Sequence, residues 1–277
     1  MMKKMACGMI LMMGCISAAC NVPVAGGDAS IIATAAPATE RAQSTALIPP
    51  AVATAAGAEE TIMILEPGPG SRLVSPLRVA GWADSTFEQT LSVRLLSFDG
   101  GEIVVPVPTQ IMADVGQRGP FTIEIPFAVT EEQNALLQVL SYSPRDGGVT
   151  HLSSVGVTLL PGGVASPITR PAYPEQIKVE QPEPGAIVSG VVVHVEGVAI
   201  ASFEGTLVVE IYDEAGSLLA SEPLIVDASD IGLPGTFNLN LVYSVSSVGA
   251  GRVVVIDPSP AFDGFNHLAS VEVRLEP

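Results

Sequence analysis

A chain of 277 residues that is 48% hydrophobic and 15% charged can bury two separate cores, which excludes a disordered protein. Its net charge of −17 excludes a nucleic-acid partner and charge-driven adsorption on anionic lipid, because both need clustered Lys and Arg. All three cysteines (Cys7, Cys15 and Cys20) fall at the amino terminus, so the folded part holds no disulfide and no thiolate metal site.

Residues 1–20 read as an export signal: Lys3 and Lys4 make a basic start, Met5 to Ile16 is an apolar core too short to span a bilayer comfortably, and Ser17-Ala18-Ala19 offers a cleavage site. Ser-Ala-Ala followed by Cys20 resembles the processing site of a bacterial lipoprotein, although Ser17 stands where that family prefers an aliphatic residue. The resemblance implies lipidation of Cys20 and a chain anchored to the outer face of the cytoplasmic membrane or the cell surface. Plain secretion after the same small residues, a competing site at Cys15 and an uncleaved anchor are the alternatives. Residues 21–60, rich in Ala, Thr and Pro, cannot bury enough apolar surface to repay ordering and are expected to be a disordered tether.

From Thr61 the pattern turns to period two. Thr61 to Leu65 is a first strand, stopped by Pro67-Gly68-Pro69-Gly70, and Leu73 to Ala83 a second. A third opens at Phe87-Glu88-Gln89-Thr90-Leu91 and continues with Val93 and Leu95 facing one side. Asp99-Gly100-Gly101 is a hairpin turn into Glu102 to Val107. Phe121, Ile123, Ile125 and Phe127 alternate with polar residues or Pro, and strands from Leu136 to Tyr142 and through Val155, Val157 and Leu159 close a unit at residues 61–161. A Pro-rich, semi-rigid linker follows at 162–174.

The series then repeats over residues 175–277. Phe203-Glu204-Gly205-Thr206-Leu207 returns the earlier motif 116 positions on, Pro182-Glu183-Pro184-Gly185 answers Pro67 to Gly70, and His267-Leu268 answers His151-Leu152. About seven short strands per unit, broken by Gly and Pro turns, predict an all-β chain: two tandem immunoglobulin-like antiparallel β-sandwiches, with a small barrel as the alternative. Ten acids against five bases in the first unit give −5, and fifteen against three in the second give −12, a difference that solubility accounts for.

Each half resembles the immunoglobulin-like domain of bacterial spore germination proteins (Gmad type). The likeness rests on Pro-x-Pro-Gly, on Val74-Ser75-Pro76 and Val188-Ser189-Gly190, on Gly81-Trp82-Ala83 and Gly197-Val198-Ala199, on Phe-Glu-x-Thr-Leu, and on Asp146-Gly147 and Asp263-Gly264. Its motifs are structural, so it implies a fold and an envelope setting, with a link to spore germination or envelope assembly. The germination-type domain that often stands beside it does not accompany the tandem here, so a direct germination role is not implied.

Candidate chemistry is sparse. Phe87 and Phe203 are expected to plug the ends of the two cores. Glu88 and Glu204, charges recurring beside those rings, are candidates for a structural role, accepting backbone N–H groups at the turn, or for contact with a partner. His151, His194 and His267 are far apart in sequence, with no Asp or Glu at ligand spacing, so no metal and no cofactor are expected. Asp213-Glu214 and Asp227 to Asp230 lack a calcium-loop pattern, and Trp82 is expected in core or edge packing rather than as a sugar platform. No nucleophile elbow or phosphate loop is found, and no carboxylate pair stands out for glycoside hydrolysis, so no enzyme is expected. The expected function is a non-enzymatic envelope lipoprotein, held to the membrane by Cys20, that binds or positions an envelope protein or glycan. A passive spacer and an accessory carbohydrate-binding module are the alternatives.

Overall fold

The computed structural model describes residues 58–200 and 204–277. The export signal, Cys20, the tether as far as residue 57, and Phe203 lie outside the described residues. The first half forms β1 (Ile62–Glu66), β2 (Arg72–Leu73), β3 (Leu77–Ala83), β4 (Thr90–Ser97), β5 (Glu102–Gln110), β6 (Gly119–Ile125), β7 (Gln133–Tyr142) and β8 (Val149–Leu159). The second forms β9 (Ile177–Gln181), β10 (Ile187–Ser189), β11 (Val192–Ala199), β12 (Thr206–Tyr212), β13 (Leu218–Ile225), β14 (Gly235–Val242), β15 (Gly249–Pro258) and β16 (Phe265–Glu276).

Each half is a sandwich whose layers follow from strand alternation. In the first, β1-β3-β6 packs against β5-β4-β7-β8, and in the second β9-β11-β14 packs against β13-β12-β15-β16. Leu91, Val93 and Leu95 on β4 meet Phe121 and Ile125 on β6 in one core, while Leu207, Val209 and Ile211 on β12 meet Phe237 and Leu241 on β14 in the other. The predicted strand over 73–83 is two strands, because Pro76 has no N–H to give a ladder. Its first piece, β2, crosses to the other layer and pairs parallel with β8, as β10 does with β16. The predicted third strand begins three residues late, at Thr90, after a 3-10 turn over Phe87–Gln89.

The two sandwiches are not beads on a linker. β8 and β16 pair antiparallel, Leu152 with Leu268 and His151 with Ala269, so a single ten-stranded sheet runs through both halves. Leu268 is the second-copy counterpart of Leu152, so the two edges meet about a local two-fold axis, like an isologous dimer interface inside one chain. One pair of side-chain hydrogen bonds across the seam obeys the same symmetry. Ser154 Oγ donates to the Asn266 carbonyl at 2.6 Å, and its counterpart Ser270 Oγ donates to the Thr150 carbonyl at 2.7 Å. On the outer face of the sheet Leu140, Leu152, Val254, Ile256 and Leu268 form a third buried apolar cluster over the seam.

The expected end of the tether at residue 60 does not hold. Glu60 N–H donates to the Tyr173 carbonyl at 3.2 Å and Glu175 N–H to the Ala58 carbonyl at 2.9 Å, so the entries to the two units pair with each other. The linker is fastened along the first unit: Gly68 N–H donates to Ile168 O at 2.6 Å, Arg170 N–H to Leu65 O at 2.9 Å, and Ile64 N–H to the Tyr173 hydroxyl oxygen at 3.0 Å.

Candidate functional site

The residue stretches that precede β1 and β9 place Glu60 and Glu175 side by side, and the starts of β8 and β16 place His151 and His267 opposite them. Period-two alternation explains the second placement. His151 lies on the same face of β8 as Val155 and Val157, and His267 on the same face of β16 as Val271 and Val273, so both imidazoles turn inward at the seam. The rings are 5.2 Å apart, edge to face.

The four groups form one buried cluster, with one ligand-type atom from each lying within 4.8 Å of the others. His151 Nε2 is 2.7 Å from Glu60 Oε1 and 3.7 Å from Glu175 Oε1, while His267 Nε2 is 3.5 Å and 3.8 Å from the same two oxygens. The outer oxygens are held reciprocally. Glu60 Oε2 accepts from Gln176 N–H at 2.9 Å, and Glu175 Oε2 accepts from Thr61 N–H at 2.7 Å and from the Thr61 hydroxyl at 2.9 Å. Ser153 Oγ also donates to Glu60 Oε1 at 2.9 Å, whereas Glu175 Oε1 and His267 Nε2 are buried with no hydrogen-bond partner.

Burial alone would make ionisation costly here. For Glu60 it pushes the pKa up, but the charge of His267, the hydrogen bond and charge of His151 and the Gln176 amide outweigh it and hold the carboxyl well below the usual range. For His151 burial disfavours the imidazolium, but the hydrogen bond and charge of Glu60, then Glu175 and Asp84, prevail and raise its pKa. Beside the cluster an open cleft of about 620 Å³ reaches His151 and Glu175 from solvent, and Phe87, Tyr142 and Lys178 are among its walls.

The expectation that the histidines stand apart therefore fails for two of the three. His194 alone is exposed, bonded to Asn240 Oδ1 at 2.9 Å and to Glu196 at 3.2 Å. Phe87 does not plug the first core: it is 56% exposed, and Gln89 and Leu91 are the residues of that motif that turn inward. Gln89 Nε2 donates to the carbonyls of Ala113, Asp114 and Gln117 at 3.2, 2.9 and 3.1 Å, tying down the loop between β5 and β6. Glu88 and Glu204 are both exposed, and what they share is a left-handed backbone, φ 53° and 50°. The expected hold of the Glu88 carboxylate on the turn is supplied by Gln89, whose Oε1 accepts from Thr86 N–H at 3.3 Å. Trp82 stands 42% exposed on the outer face of β3, beside Met63 and Pro120. Asp213 and Asp230 turn their carboxylates to turn amides, Asp213 to Ala215 and Ser217 and Asp230 to Ile231.

The sequence matches the family model described as the immunoglobulin-like domain of bacterial spore germination over residues 61–148 and again over 176–264, more than half of the chain. No curated protein matches it. Among solved structures it is similar to red sea bream transglutaminase at 11% identity and a TM-score of 0.28, over 78% of this chain and 31% of that one. It is similar to the titin domains Z1Z2 in complex with telethonin at 16% identity and a TM-score of 0.20, over 79% and 96%. It is similar also to dimeric latent PorU from Porphyromonas gingivalis at 14% identity and a TM-score of 0.22, over 78% and 24%. At such TM-scores these likenesses carry no functional argument.

Proposed function

The chain belongs to the family of immunoglobulin-like domains of bacterial spore germination, of which it holds two copies, and from that premise we propose that it is a non-enzymatic cell-envelope protein that binds or positions another envelope component. The observation that supports this reading is the ten-stranded sheet shared by both halves. A pair of sandwiches joined through their sheets presents its loops and outer strands at fixed separation, which suits holding a partner in place. At the two ends of that sheet stand β5 and β13, each with exposed apolar side chains: Val105 on one, and Leu218 and Ile225 on the other. Pro106 and Pro108 on β5 and Pro223 on β13 guard these edges against indiscriminate strand pairing, so recognition there works through side chains and adjoining loops.

In this reading the chain is exported and held at the membrane surface by a lipid on Cys20, with the residues after it as the tether. Incorporation of labelled palmitate into the wild type and its loss in Cys20→Ala tests the anchor. Capture from envelope extract by the full chain tests the binding role: saturable recovery of one component supports it, and recovery of nothing saturable leaves a passive spacer. Specific retention on a glycan array would reassign the partner as carbohydrate.

A further inference from the structure

The seam cluster has more metal-ligating atoms than its hydrogen bonds use. We propose that Glu60, His151, Glu175 and His267 bind one divalent first-row transition metal ion, zinc being the type case, which cross-links the two halves of the chain.

Four donors at 2.0–2.1 Å around a tetrahedral zinc ion lie roughly 3.4 Å from one another. The four imidazole-to-carboxylate distances, 2.7, 3.5, 3.7 and 3.8 Å, bracket that spacing before any adjustment of the side chains. Two of the inward atoms, Glu175 Oε1 and His267 Nε2, are buried without a hydrogen-bond partner, a costly arrangement that a cation between them would relieve. Each carboxylate is already oriented through its other oxygen by a backbone amide from the opposite half, the kind of outer support that fixes metal ligands. Two carboxylates and two neutral imidazoles balance a divalent ion in charge. Mixed nitrogen and oxygen donors favour zinc and its neighbours over calcium and magnesium, which prefer oxygen alone. With all four positions filled by protein the ion would be structural, and the adjacent cleft gives it a way in.

The test uses the full chain without a histidine tag and with Cys7, Cys15 and Cys20 changed to Ser, so that only the folded residues compete for metal. After treatment with a chelator it is titrated with zinc chloride at neutral pH by calorimetry. One equivalent is expected to bind saturably and, at a hundredfold excess over its dissociation constant, to raise Tm by roughly 5 °C or more. His151→Ala and His267→Ala are each expected to weaken binding by about a hundredfold or more, whereas His194→Ala, outside the cluster, leaves it unchanged. X-ray absorption of the zinc-loaded unmutated site needs no variant to fold and is expected to show two imidazoles with oxygen donors. No saturable uptake, a first shell without imidazole, or tight binding that survives His151→Ala in folded protein would each overturn the proposal.

Discussion

A carbon added at Gly81 would stand 1.9 Å from the Met63 carbonyl oxygen and 2.9 Å from the Phe121 ring, and one added at Gly197 would stand 2.1 Å from Lys178 O and 2.7 Å from the Phe237 ring. Neither contact can be relieved at a flexible tip, because one obstacle is backbone and the other an aromatic ring packed in each core. Gly81→Ala is therefore expected to destabilise the protein by about 3 kcal/mol, read as a lower denaturant midpoint at unchanged slope. A loss within error of zero would mean that the bulge in the β1–β3 pairing absorbs the methyl group. The repeated Gly-x-Ala was legible in the sequence as a motif, but its reason is a clash with strands that no spacing reveals. Phe-Glu-x-Thr-Leu misled in a similar way. Its Phe87 is largely exposed, and its fixed content is a left-handed turn closed by Gln89 in one copy and by Gly205, φ 67°, in the other.

Between elements, the loop after β7 carries Asp146 onto Arg252 of β15, with contacts at 2.9 and 3.0 Å and both side chains nearly excluded from solvent. Burial opposes ionisation of Asp146, but Arg252 and the Gly148 amide outweigh it and hold the pKa down at about 2, against an ordinary 3.8. A carboxyl depressed in this way contributes stability that is fully present above the unfolded value and is lost as pH falls towards 2. Asp146→Asn is expected to cost about 3 kcal/mol at neutral pH, since among the described residues Arg252 then keeps Glu272, at 3.5 Å, as its one carboxylate partner, and to flatten the fall of Tm between the ordinary aspartate value and the depressed one. An equally steep fall in the variant would show that other carboxylates govern acid unfolding. Across the two-fold, Phe262 rests on Gly100 as Asp146 rests on Gly216, so one site has become apolar and the other ionic.

Most of the strands, their alternation and the hairpin turn at Asp99-Gly100-Gly101 were readable, because those signals repeat within ten residues of sequence. The seam cluster was not. Its members come from two strands and from the two stretches that precede β1 and β9, and the pairing of β8 with β16 that unites them leaves no local pattern. A trace did exist in the repeat: His151 and His267 are 116 apart, and Glu60 and Glu175 are 115 apart, the offset also shared by Pro67 and Pro182.

For the molecule as a whole, two cores with a common sheet and a third apolar cluster over the seam should melt together. Scanning calorimetry is expected to show one transition for the wild type. Leu152→Asp, which puts a carboxylate into that fully buried cluster, is expected to separate it into two. Two transitions in the wild type would mean that the sheet joins the halves without coupling them.

A self-complementary edge on separate chains would hold them together only as concentration allowed, and dilution would part them. Here the stretch from Pro161 to Pro174 makes each half the other's permanent neighbour, at an effective concentration on the order of millimolar. The seam is thus exempt from mass action, and at any dilution the two halves would be as completely assembled as in a concentrated solution.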